Sequence, residues 1–491
     1  MKTSVLAGLA LLVAVVLAGS APAKQRQGPP NIIVVITDDM PALDGRLLDF
    51  MPTVNSVFRE QGVTFTDFHG ESPQCCPGRV GFLSGQHTTN HRVQTNNAAK
   101  FEPAMSIATQ LRSVGYHTML VGKYLNGYGR CIGFNCAPNV PPGWDRWAAI
   151  DTLSFYDYDM WVDGSAAPVH YGSAPEHYST DVIANRAVEL ISNAPSNRPI
   201  FAWLAPNSPH APNVPADRHK DSPECQVPAW RPANYEEADV SDKPLWLQVL
   251  PPSTSNYNAL PVKCTMLLSV DELIARVRDV LSARGRLQNT LFIFTGDNGM
   301  AWREHRLDGK GDPYQTQLPF LASWPSRLGQ LPRTVDVRVQ NIDLAPTLCA
   351  IAGCTMGPYP NGQVDPDGMS FLGPLLGGET SLSRAAVLES MPAGNRPAPP
   401  WFSATSTTRS TLATTGCAAA TSGGCLWQYT HYPITGEEEL YDISNGPCWL
   451  WDVTDPGDPC KLQNVAADPA YADVKAVMKD ELARLRSEKG S

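Results

Sequence analysis

Four short runs along the chain are mainly apolar: residues 32–36, continuous and β-branched, and residues 117–121, 199–204 and 291–294. Runs of this length without polar alternation suit strands buried on both faces of a sheet. Between them lie amphipathic stretches of helical period. Residues 106–114 stop at Gly115. Residues 180–193 carry Val182, Ile183, Ala187, Val188 and Leu190 on one face. Residues 269–284 open on a capping-box pattern, Ser269 to Glu272, and stop at Gly285. Buried strands alternating with helices predict an α/β fold, a large mostly parallel sheet flanked by helices. From about Gly378 the texture changes to Ser/Thr/Ala/Gly-rich segments and short strand-like runs. A last helix over 470–486 presents Val474, Val477, Met478, Leu482 and Leu485 on one face. This predicts a smaller C-terminal α+β domain. The expected division is a catalytic α/β domain over 24–377 and a C-terminal subdomain over 378–491. The small-residue stretch 403–424 is read as a mobile loop.

Ahead of the first strand, Lys2, the apolar run 5–18 and Ala21-Pro22-Ala23 read as a secretory signal peptide over 1–23. The run is short for a membrane span and no second one follows, so the expectation is a protein without a membrane span, secreted or periplasmic. Export makes disulfides plausible. Ten of the twelve cysteines fall into neighbours along the chain: Cys131/Cys136, Cys225/Cys264, Cys349/Cys354, Cys417/Cys425 and Cys448/Cys460. Sequential pairing is the simplest arrangement, and free buried thiols are the alternative. The segment 225–264 is Pro- and Trp-rich and interrupts the strand–helix alternation. It reads either as a lid over a site or as a packed excursion. The net charge of −10 argues against a nucleic-acid partner and leaves anion recognition to local groups.

The residues that follow the strands carry the chemistry. Asp38 and Asp39 follow the first run, Lys123 the second, His210 the third, and Asp297 with Asn298 the fourth. In open α/β sheets the crevice beyond the carboxyl ends of the strands holds the ligand, so these groups are predicted to share one site. Asp38, Asp39, Asp297 and Asn298 form an all-oxygen set suited to Ca2+ or Mg2+. Each pair alone is also what a turn requires. In Cys75-Cys76-Pro77-Gly78-Arg79, the proline can start a helix, placing Cys75 at its positive end with Arg79 one turn on. A disulfide cysteine beside a helix-starting proline is the plain alternative.

The string Cys75-x-Pro77-x-Arg79 with Ser84-Gly85 resembles the sulfatase signature. The similarity extends over 31–485 in order, through 31–39, Gly122-Lys123-Tyr124-Leu125-Asn126-Gly127, Pro209-His210-Ala211-Pro212, 295–299, 304–306 with Gly309-Lys310, 341–347 and 439–442. The variant around Lys123 and segments 240–246 and 267–271 look like the N-acetylglucosamine-6-sulfatase and extracellular heparan 6-O-sulfatase branch. The resemblance implies that Cys75 is converted to formylglycine by a separate formylglycine-generating enzyme. It implies that Asp38, Asp39, Asp297, Asn298 and modified Cys75 bind Ca2+, with Mg2+ as the other cation. Arg79 would orient the hydrated aldehyde, Lys123 and Lys310 contact sulfate, and His210 serve the leaving alcohol. The substrate would be a sulfated sugar or an aryl sulfate. Three positions depart from the family pattern: Gly78 replaces a usual serine, Ser84 a usual threonine and Leu125 a frequent histidine. His91 and His305 are weaker site candidates. Two other functions fit the same fold: a phosphodiesterase or phosphonate monoester hydrolase, and a catalytically silent sulfated-glycan-binding protein.

Overall fold

In the computed structural model the described residues are 28–42, 46–128, 137–150, 152–229, 231–253, 258–329, 331–379, 381–395, 397–407, 425–444, 448 and 457–488. The leader over 1–23, the Cys131/Cys136 pair, Cys417 and most of the 403–424 stretch lie outside them.

The four apolar runs are the adjacent parallel strands at the centre of a ten-stranded sheet. Their order across it is Thr290–Gly296, Asn31–Thr37, Ile200–Ala205 and His117–Lys123. Arg146–Ile150 adds a fifth parallel strand, and Tyr158–Val162 and Val169–Tyr171 close that edge antiparallel. On the other side Phe320–Ser323 pairs antiparallel with Thr290–Gly296, and Val63–Phe65 and Arg333–Val335 follow. The sheet is therefore mixed, with its parallel strands where the sequence is most apolar.

Alternation within the first strand shows why the run must be continuous. Ile32, Val34 and Ile36 enter one core, with the helices Cys75–Ser84, Ile107–Ser113 and Leu344–Ala352. Ile33 and Val35 enter the opposite core, with Ser179–Ser192 and Leu260–Ala283. Full burial of each such side chain stabilises by about 1.5–3 kcal/mol relative to exposure.

Two helix expectations are corrected. The helix read as starting at Ser269 begins nine residues earlier, at Leu260, and Ser269 is buried mid-helix. Pro261, which fits the first turn of a helix, was the start signal. The last helix is Ala472–Glu488; Val474, Met478, Leu482 and Leu485 are buried against a four-stranded antiparallel sheet, while Val477 is exposed. That sheet comprises Ala386–Met391, Trp401–Ser406, Trp427–His431 and Glu438–Asp442. Residues 403–406, read as mobile, lie in its second strand. Disulfides join Cys225–Cys264, Cys349–Cys354 and Cys448–Cys460, and Cys75 and Cys76 are free and buried.

Candidate active site

The carboxyl ends of the four central strands converge as the alternation requires. Asp38 and Asp39 follow Thr37, and Asp39 takes a left-handed φ of 57° that turns the chain out of the sheet. Lys123 is the last residue of its strand. Gly122 before it has φ 107°, and a Cβ there would lie 2.1 Å from the Ala205 carbonyl oxygen, so only glycine lets the two strand ends come so close. His210 stands on a loop beyond Ile200–Ala205, between cis Pro209 and cis Pro212.

The helix Cys75–Ser84 brings its N-terminus to the same crevice, with Cys75 as its first residue. Gly78 accounts for its own departure from the family pattern: the helix packs so tightly on the metal-motif turn that a Cβ would lie 2.5 Å from the Asp297 carbonyl oxygen. Arg79 donates from Nε to Asp297 Oδ2 at 2.8 Å and from Nη1 to the Lys123 carbonyl at 2.9 Å, tying two strand ends to the helix. Its Nη2 is buried without a hydrogen-bond partner, 4.0 Å from Asp38 Oδ2.

Buried charges are paired throughout. Lys123 Nζ donates to Asp38 Oδ2 at 2.6 Å. Lys310 Nζ bonds Asp39 Oδ1 and lies 2.8 Å from Cys75 Sγ. His210 Nε2 is 3.2 Å from Asp39 Oδ2. One ligand atom from each of Asp38, Asp39, Cys75 and His210 lies within 4.8 Å of the others. Burial works to raise the Asp38 carboxyl, but Lys123, Arg79, His210 and Lys310 outweigh it and hold the group ionised. At Cys75 burial prevails over the two lysines and pushes the thiol up to about 12.

The donor set fits a hard divalent cation. Asp38, Asp39 and Asp297 supply carboxylates, and Asn298 Oδ1 is a buried carbonyl oxygen with no hydrogen-bond partner. An orphaned buried acceptor beside carboxylates is what an oxygen-coordinated ion would satisfy. Asn298 is oriented by its other end, Nδ2 donating to Asp39 Oδ1 at 2.7 Å and to the Gly299 carbonyl at 2.9 Å.

All nine predicted site residues therefore lie at one crevice, whereas the two weaker candidates, His305 and His91, are held elsewhere. His305 bonds Glu237 at 2.6 Å and Asn234 at 3.1 Å and packs on Tyr314, so it anchors the 225–264 excursion. His91 is buried, lowered to about 4 by burial, and accepts the Val93 N–H, within a cluster around Glu71 and His87. Leu125 is packed in an apolar core with Tyr124, Tyr128 and Trp147. The 225–264 excursion is tied down through Arg303–Glu236, the bond from Lys243 to the Leu462 carbonyl and the tilted packing of Trp246 on Tyr314 and Tyr432, which favours the packed reading over a lid.

Sequence reasoning missed the supports. Asn395 Nδ2 donates to the Lys310 carbonyl at 2.6 Å and Trp401 Nε1 to the Gly311 carbonyl at 2.8 Å, so the C-terminal sheet holds the Lys310 loop. Lys263 holds the His210 loop. A lone lysine or asparagine carries no pattern that distinguishes such a role.

Residues 30–354 match the family model described as Sulfatase. The chain is 33% identical over 359 residues to an extracellular sulfatase Sulf-1 homolog of Caenorhabditis elegans, covering 68% of this chain and 48% of the relative. It is 31% identical over 380 residues to the N-acetylglucosamine-6-sulfatase of Homo sapiens, covering 73% of this chain and 66% of the relative. The matches thus span from about half to just under two thirds of these relatives. A solved protein in complex with its substrate, D-glucosamine-2-N,6-O-disulfate, superposes with a TM-score of 0.72 at 18% identity, covering 94% of this chain and 98% of that one. The phosphonate monoester hydrolase of Agrobacterium radiobacter superposes with a TM-score of 0.67 at 20% identity, covering 94% and 96%. At these identities the two superpositions show a common fold. The family-model match, over well more than half the chain, carries the assignment: this chain belongs to the sulfatase family.

Proposed function

We propose that the chain is an exported sulfatase that hydrolyses sulfate esters of sugars, with Cys75 carried as formylglycine and Ca2+ held by Asp38, Asp39, Asp297, Asn298 and the modified Cys75. The single observation that carries this reading is the meeting of Cys75 Sγ with Asp38, Asp39 and His210 within 4.8 Å in a chain of this family. The charge balance supports it. Three carboxylates, Asp38, Asp39 and Asp297, face three cations, Arg79, Lys123 and Lys310. A divalent ion added to that balanced set makes the crevice positive, as an anionic substrate requires. When present, the hydrated aldehyde supplies a nucleophilic hydroxyl and the cation screens the sulfate oxygens.

The chain's own residues do the rest. Lys123 and Lys310 flank the Cys75 position and would pair with oxygens of a sulfate drawn against it. Arg79 fixes Asp297 and the end of the Lys123 strand, holding the cluster rigid. His210, half-buried at the crevice, would give its Nε2 proton to the departing alcohol. Export is supported by three disulfides, and among the described residues no helix is long and apolar enough to cross a membrane. The relatives named N-acetylglucosamine-6-sulfatase and the superposed glucosamine-disulfate complex support a 6-O-sulfated glucosamine as substrate.

The test is kcat/KM of the matured protein on glucosamine 6-O-sulfate and on a matched phosphate monoester. Faster sulfate hydrolysis is expected. A preference for the phosphate or for a phosphonate monoester would move the reading to the phosphonate hydrolase alternative. Binding of the sugar without turnover would move it to the silent binder.

A further inference from the structure

Lys263 lies in the first turns of the helix Leu260–Ala283 and is only 2% exposed, although lysines are almost never fully buried unless paired. Its Nζ donates to the Pro209 carbonyl at 2.5 Å and to Asn213 Oδ1 at 2.9 Å. Both partners belong to the loop that carries His210, one residue before it and three after. The loop runs outside the regular strands and helices, so no sheet ladder holds its backbone. The next residue on the helix, Cys264, is bonded to Cys225, which fixes the platform from which Lys263 reaches. The place is costly for a cation: burial pushes Lys263 down to about 8 against the pull of Asp39 and Asp38. An apolar residue of similar length would fill the space without that penalty.

We propose that Lys263 is a positioning residue that clamps the 209–213 loop and thereby holds His210 at the leaving-group side of the site. This rests on the role given to His210 above. An imidazole that protonates a departing alcohol matters most when the alcohol is a poor leaving group and little when it is a nitrophenol. Loss of the clamp therefore has a signature that loss of folded protein lacks, because misfolding lowers the rates on all substrates in one proportion.

The experiment compares kcat/KM of full-length, matured wild type, His210→Ala, Lys263→Met, Lys263→Arg and the His210→Ala/Lys263→Met double variant on a sugar 6-O-sulfate and on 4-nitrophenyl sulfate. His210→Ala and Lys263→Met are each expected to lose about 100-fold on the sugar sulfate and less than about tenfold on the aryl sulfate, mainly in kcat. Lys263→Arg, which keeps a cation in the clamp, is expected to recover most of the loss. The double variant is expected to be no slower than His210→Ala, since both substitutions remove one function. Equal losses of Lys263→Met on both substrates, or a selective loss in His210→Ala that Lys263→Met does not share, would overturn the clamp alone. A His210→Ala variant without leaving-group selectivity would overturn the His210 role and the clamp with it.

Discussion

Asn298 and Cys75 separate the two requirements of the site. The Asn298 carbonyl oxygen is buried with no hydrogen-bond partner, so its proposed contribution is to the cation. Asn298→Ala is expected to weaken Ca2+ binding by at least about tenfold, as measured by titration calorimetry. Cys75→Ala is expected to abolish turnover yet keep Ca2+ binding, weakened by one ligand, through the four oxygen ligands, and to cost only about 1 kcal/mol of stability for the small cavity left in the helix N-terminus. Gly78 gives a test of packing. Gly78→Ser would restore the residue most sulfatases carry, but its Cβ meets the Asp297 carbonyl at 2.5 Å. It is expected to destabilise by about 1–3 kcal/mol in chemical denaturation, not to improve the enzyme.

Among the elements, the four strands and the groups at their ends were legible because a buried parallel strand leaves a continuous apolar trace and its ligand residues follow directly. The edge strands were not, since Arg333–Val335 and Val169–Tyr171 are three residues each and gain their conformation from neighbours. The helix Leu260–Ala283 was cut short because Cys264 and Lys263 read as part of a loop excursion, although both are buried in its first turns. Contacts between distant elements leave no local trace. Glu389, on the first strand of the C-terminal sheet, is buried against His69 at 3.3 Å and accepts from Thr316 at 2.9 Å. Burial raises Glu389, but hydrogen bonding and charge from His69 outweigh it and bring it from 4.5 down to about 2. A carboxyl lowered on folding contributes stability above its unfolded value, lost as pH falls through about 4.5 toward 2, here about 3 kcal/mol. Burial opposes the His69 cation, yet its carboxylate partners raise it, so its contribution is present below 6.5 and lost as pH rises through the folded value. Denaturation midpoints across pH 2–5 are expected to fall less steeply for Glu389→Gln than for wild type.

At the level of the whole molecule, the C-terminal sheet is part of the active structure. Asn395 and Trp401 hold the Lys310 loop, and Glu439 accepts from Tyr314 across the junction and from Tyr432 and Tyr441 on its own side. The proposed cation would join the strand ends in the same way. Exhaustive chelation is expected to lower the thermal midpoint, with recovery on adding Ca2+, since an ion at 100 times its dissociation constant stabilises by about 2.7 kcal/mol. An unchanged midpoint would argue against a resident ion. All of this chemistry turns on the identity of the side chain at position 75. The most direct measurement is peptide mass spectrometry of the exported protein, made in a host that performs the conversion, with hydrazide trapping. The account predicts an aldehyde at Cys75 with Cys76 still a thiol. An intact Cys75 thiol, or a disulfide between the two, in otherwise active protein would contradict it.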